Sequence, residues 1–126
     1  MDDIDPMTVA IDQAAEYLRS ALRAGRGASA EPQALSARAS DLISVLSRAQ
    51  EVAMALSEQI ETTARTHQLG SDDDTSANDH AARASGLLVQ VAGEVAEAGL
   101  AADQAWNVLG HLKHTEQPGS AAAPAP

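Results

Sequence analysis

The stretch TSANDHAARASGLLVQVAGEVAEAGLAADQAWNVLGHLKHTE, Thr75–Glu116, decides the fold. From Ala77, alternate steps of four and three residues land on Ala81, Ala84, Leu88, Val91, Val95, Ala98, Ala102, Ala105, Leu109 and Leu112. Every step is apolar, which predicts one long helix with the seam of an antiparallel coiled coil or bundle. Between Ala84 and Gly110 the only charged residues are Glu94, Glu97 and Asp103. A helix with so little charge is normally contacted on more than one side.

Working outward, the preceding forty residues carry a matching pattern. Leu35, Ala39, Leu42, Leu46, Ala49, Ala53, Leu56, Ile60, Thr63 and His67 follow the same spacing, with Val45 and Val52 beside them. Pro32 falls in the first turn of this second helix, and Leu69-Gly70 ends it, with Gly70 expected in the left-handed conformation. Glu61 and Arg65 stand four apart in the favourable order for an ion pair. Asp72, Asp73 and Asp74 then fall where carboxylates stabilise a helix N-terminus.

The first helix opens at Asp5-Pro6, with Asp5 as cap and Pro6 at the first helical position. Its apolar line is Met7, Ile11, Ala14, Leu18, Ala21 and Leu22, and Gly25-Arg26-Gly27-Ala28 ends it. The expected organisation is an acidic lead at 1–6 and a single helical domain at 7–116. Its helices are expected near 6–25, 31–69 and 75–116, followed by a disordered Pro/Ala tail at 117–126. The fold class is all-α: a long antiparallel hairpin with a shorter N-terminal helix folding back to make a three-helix bundle at one end. Level-matching places Leu18 and Leu22 near Leu35, Leu42 and Trp106.

Composition narrows the functions. The 126-residue chain has no Phe, one Trp and one Tyr, and alanine makes up roughly a fifth of it. Small knobs bring helix axes close but bury little apolar area each, so a long contact or a partner must supply the rest. A formal net charge of -10 argues against unaided binding to nucleic acid or an anionic membrane, and suits a basic protein partner. Cysteine is absent, which removes disulfide and thiolate chemistry. The first residues are acidic where a secretion signal is basic, and no apolar run approaches the ~20 residues of a membrane span. A cytoplasmic location is expected, and the excess of Arg over Lys together with much Ala suggests a bacterial source.

No pattern supports catalysis or a cofactor. Asp72-x-Asp74-x-Ser76-x-Asn78 alternates oxygen ligands as calcium loops do, yet Ala77 and Arg83 stand where Gly and a bidentate Glu are required. His111 and His114 share a helix face near Glu116 without a third ligand from another element. His67 and His80 flank the turn, where a facing pair would be able to sense pH, but all four histidines read as ordinary polar positions near helix ends. Trp106 is expected in the core. A non-enzyme with no metal and no cofactor is the reading.

The end around the turn has only two helices, which leaves one side of the seam wet; such a patch marks a partner surface. The interface is expected to comprise Leu56, Ile60, Leu87, Leu88 and Val91, with Gly86, Val89 and Gly93 on a second, small-residue stripe. Each interior Gly costs on the order of 1 kcal/mol relative to Ala, so close approach of another backbone is expected there. The expected function is protein–protein interaction or assembly, as a homodimer or with a partner helix. Replacing Leu88 with Asp is expected to dissolve the assembly while sparing the three-helix end. An acidic antitoxin-like or nucleic-acid-mimicking protein covering a basic partner is the alternative.

In outline, two long antiparallel helices in a small, acidic, Cys-free chain resemble the WXG100 proteins of type VII secretion. Those proteins carry Trp-x-Gly at the turn, where this chain has Leu69-Gly70-Ser71-Asp72. Trp106-Asn107-Val108 lies elsewhere, and the tail lacks the Tyr-x-x-x-Asp/Glu export signal. The resemblance implies leaderless export as a further alternative.

Overall fold

The computed structural model describes residues 5–113. The Pro/Ala tail, His114, Glu116 and the first four residues of the acidic lead lie outside that range. Three helices occur in order: α1, Pro6–Gly25; α2, Pro32–Thr66; and α3, Ala77–Leu109. Among the described residues there is no strand, and the chain is all-α. It divides into two units, one holding α1 and the other holding α2 and α3. The expected three-helix end is a statement about how those units meet, and it stands as an expectation of the sequence.

α1 begins as its first residues dictate. The Asp5 carboxylate accepts the Thr8 amide at 3.1 Å and the Thr8 hydroxyl at 2.8 Å, with Pro6 filling a position that needs no donor. The Thr8 hydroxyl and amide together hold the Asp5 carboxyl below the ordinary Asp range. At the far end Arg26 donates its amide to the Leu22 carbonyl, and Gly27 turns the chain with φ of 74°. A Cβ is strained at that φ, so glycine is required there. Gly27 is the sole positive-φ glycine among the described residues, which corrects the expectation that Gly70 adopts the left-handed conformation.

In the second unit α2 and α3 pack on one another as an antiparallel hairpin. Ser57 meets Ser85, while Ala64, nearer the turn, shares a surface with Asn78 and Ala81. At 35 and 33 residues the helices are each about 50 Å long at 1.5 Å per residue. Both are shorter than their apolar patterns suggest. α2 stops at Thr66, where the Thr66 hydroxyl turns back onto the Thr62 carbonyl at 2.8 Å. α3 starts where Ser76 accepts the Asp79 amide at 3.1 Å, so Ser76 is its cap, and Asp72–Asp74 belong to the preceding loop. It ends at Gly110, which donates to Trp106, after which His111 and Leu112 make tighter three-residue turns.

The contact line between the helices differs from the all-apolar path. Going along α2, Ala39, Ile43, Leu46, Gln50, Ala53, Ser57, Ile60 and Ala64 are the residues withdrawn from solvent at steps of four and three. On α3 they are Ala81, Ser85, Leu88, Ala92, Val95, Gly99 and Ala102, and, seven residues on past the exposed Trp106, Leu109. Half of the expected seam is on this line. The other half falls one residue off it: Leu42, Ala49 and Thr63 on α2, and Val91, Ala98 and Ala105 on α3, are exposed. Leu56, also one residue off, is half-buried. Trp106 is 40% exposed and is therefore only partly in the core where it was expected.

Candidate interaction surface

The centre of the hairpin is thin. Ala53, Ser57, Ser85 and Ala92 are the buried residues among those described, and no large side chain is fully buried. Ser57 and Ser85 satisfy each other across the seam. Their hydroxyls stand 2.6 Å apart, and each also reaches the other residue's carbonyl, at 3.2 and 3.3 Å. The Glu61 carboxylate, 3.1 Å from the Ser85 hydroxyl, is a second acceptor for that hydroxyl's single hydrogen. No buried side-chain polar atom among the described residues lacks a partner. Two small hydroxyls permit the helices to lie close, and each removes the other's desolvation penalty. Glu61 is thereby drawn to the seam, while Arg65 reaches the Thr62 hydroxyl at 3.3 Å, so the Glu61–Arg65 pairing expected from spacing is replaced.

The seam separates two unlike sides. On one, Glu61 and Arg65 of α2 share a groove of about 630 Å³ with Ala82, Gly86 and Val89 of α3. Rotating the other way by about 100° per residue brings up Leu42, Val45, Ala49, Val52 and Leu56 on α2. The same rotation on α3 brings up Ala84, Leu87, Val91, Glu94, Ala98, Ala101 and Ala105. Antiparallel packing sets these two rows on one side of the hairpin. That side is mainly apolar over this length and carries one charged residue, Glu94, between Val91 and Ala98. Leu42, Val45, Leu87 and Val91 are 48%, 39%, 49% and 42% exposed.

Each expected interface residue now has a place. Leu56, Leu87 and Val91 lie on the mainly apolar side. Gly86, Val89 and Gly93 lie on the groove side, with Val89 46% exposed. Ile60 and Leu88 are half-buried in the contact line itself. The eight residues therefore form two surfaces, as the two expected stripes suggest, and part of the core, since Ile60 and Leu88 leave the first stripe for the contact line. Leu88→Asp would strike the hairpin contact, so it does not isolate association from folding. A Cβ built at Gly86 or Gly93 meets nothing within 4 Å, so among the described residues no backbone from outside the helix approaches either glycine. Helical geometry alone separates Leu87 from Val89, two residues apart and turned by about 200°; applying it to a seam through Ser85 rather than Ala84 distinguishes the two sides.

At the turn, Asp73 gathers the loop. It accepts His80 Nε2 at 2.8 and 3.0 Å, the Ser71 hydroxyl at 2.9 Å and the Thr75 amide at 2.9 Å. The His80 contact first, then Ser71 and Thr75, hold its carboxyl below the usual Asp range. His67 and His80 each take a nearby polar partner in place of one another: Nδ1 of His67 lies 3.0 Å from the Thr66 hydroxyl, while His80 is held by Asp73. Among the described residues no three His, Asp or Glu side chains gather as a metal site. No described helix is long and apolar enough to cross a membrane.

Comparison with family models, with curated proteins and with solved structures gives no match.

Proposed function

We propose that this chain is a non-enzymatic helical module for interaction or assembly, acting in a bacterial cytoplasm by packing its hairpin against a second copy or a partner's helix. The observation that carries the reading is the mismatch between what the hairpin exposes and what it buries. Its buried residues are two Ala and two Ser, while Leu42, Leu87, Val89, Val91 and Trp106 are each at least 40% exposed. Two helices whose large contact residues, such as Leu46, Ile60 and Leu88, are only half-buried gain little from burial, at about 25 cal/mol per Å² of apolar area. Laying apolar surface against the exposed Leu and Val supplies the stabilisation that the seam lacks. The mode is helix-in-groove packing, with the acidic remainder of the surface favouring solubility and steering.

Light scattering after size-exclusion chromatography tests self-association. The full chain, 13.0 kDa, is expected to elute at about twice its monomer mass at tens of micromolar. A lone monomer at that concentration overturns self-association.

A further inference from the structure

Resting on that reading, we infer that the mainly apolar side of the hairpin, and not the groove side, is covered by a second copy of this chain, related by a two-fold axis running along the helices.

The first ground is size. Between Leu42 and Thr63 on α2 and between Ala84 and Val108 on α3, this side runs about 35 Å at 1.5 Å per residue. Two helices of ~10 Å diameter make it about 20 Å wide. The face is therefore roughly 700 Å² per copy, close to the ~800 Å² per partner of a standard stable interface.

The second ground is shape. Counted from the Ser57–Ser85 contact, Val45 falls level with Ala98 and Leu42 with Ala101, each within one residue. At this end the large side chains stand on α2 and the small ones on α3. A two-fold axis along the helices places α2 of the second copy over α3 of the first at unchanged level. Val45 and Leu42 of one copy then seat on Ala98 and Ala101 of the other, and the reverse contact is made by symmetry. Nearer the turn, Leu56 and Leu87, and Val52 and Val91, fall level in the same way and fill the centre of a four-helix layer. Every neighbouring helix pair in the resulting bundle is antiparallel, as α2 and α3 already are.

The third ground is charge. Each copy carries a formal net charge of -10, so two copies approach at less cost through this side, where Glu94 is the single carboxylate, than through the groove side, where the opposite rotation sets Glu51, Glu58, Glu61 and Asp103. A basic peptide needs several carboxylates, and a nucleic acid or anionic membrane needs Lys and Arg; this side offers one Glu and no Lys or Arg over this length. The groove side, with Glu61 and Arg65 on its rim, repeats no such match of large and small residues.

Two measurements on the full chain test the inference. Because the protein has no cysteine, V45C and A98C can be prepared separately, mixed and mildly oxidised. A disulfide-linked dimer is expected in that mixture. It is not expected in either variant alone, nor when V45C is mixed with V89C. Separately, V91E is expected to shift the dimer to monomer in sedimentation equilibrium at tens of micromolar, with helical circular dichroism retained, while V89E leaves it dimeric. Cross-linking to V89C in place of A98C, or loss of the dimer in V89E but not in V91E, overturns the inference while self-association stands. A parent chain that is monomeric throughout overturns both.

Discussion

Replacing the two seam serines one at a time and then together should give a strongly non-additive result. Ser57 and Ser85 are each 3% exposed, with hydroxyls 2.6 Å apart. Ser57→Ala removes the short contact and leaves Ser85 its weaker bonds to the Ser57 carbonyl, 3.3 Å, and to Glu61, 3.1 Å. Ser85→Ala leaves Ser57 only the carbonyl at 3.2 Å. A net hydrogen bond is worth about 1 kcal/mol, and a buried polar group left wholly unpaired costs about 1–3 kcal/mol. The first single variant should therefore lose about 0.5–1 kcal/mol and the second about 1–1.5 kcal/mol. The double variant removes both hydroxyls, adds apolar contact and improves helix propensity, so it should fall within about 0.5 kcal/mol of the parent. Urea unfolding followed by circular dichroism, at one fixed protein concentration, yields the four stabilities and the coupling energy. Additive losses, or a double variant worse than either single one, would refute the claim that the serines are there for each other.

Leu88→Asp should destabilise the hairpin by about 2–4 kcal/mol, since it places a carboxylate in the contact line, whereas Val89→Asp should leave unfolding midpoints within about 0.5 kcal/mol; equal effects in urea would refute the side assignments. Gly86→Ala and Gly93→Ala should each stabilise the chain by about 0.5–1 kcal/mol, because each Cβ enters open space in a helix interior. A loss of stability or of dimer in either would reveal a backbone lying against that stripe. The Asp73 carboxyl, lowered by His80, Ser71 and Thr75, contributes order above its unfolded value near 3.8 and loses it as pH falls through the lower folded value. Limited proteolysis with an acid-active protease should show the 67–76 loop opening below about pH 4 in the parent. In Asp73→Asn the loop should be more open than in the parent at pH 7, with little further change on acidification, and an unaltered acid profile would exclude Asp73 as the tether.

Local chemistry made much of this molecule legible. Pro6 and Pro32 mark the starts of α1 and α2 because proline's missing donor and fixed φ suit a first turn, and Asp5 caps because its carboxylate reaches the Thr8 amide. The apolar spacing identified two long helices with a bend between them, and Ala39, Leu46, Ala53, Ile60, Ala81, Leu88, Val95 and Ala102 as contact positions.

The remaining positions were ambiguous because a step of three and a step of four are equally helical. From Ala53, a walk through Leu56 and one through Ser57 both reach Ile60, and hydrophobicity prefers Leu56. Only the facing helix reverses that choice: Ser85 satisfies Ser57, and the desolvation that counts against a buried serine disappears. The same displacement turns Leu42, Val91 and Ala98 outward and gathers them on one mainly apolar side. The turn shows the same division, since Asp73 and His80 each look like solvated polar residues until the loop sets them 2.8 Å apart. A sequence alone determines which residues repeat at helical spacing and where a helix begins. Which of two adjacent stripes becomes the seam, and which side is left uncovered, depends on pairings between residues 28 positions apart, and those exist only once the chain has folded.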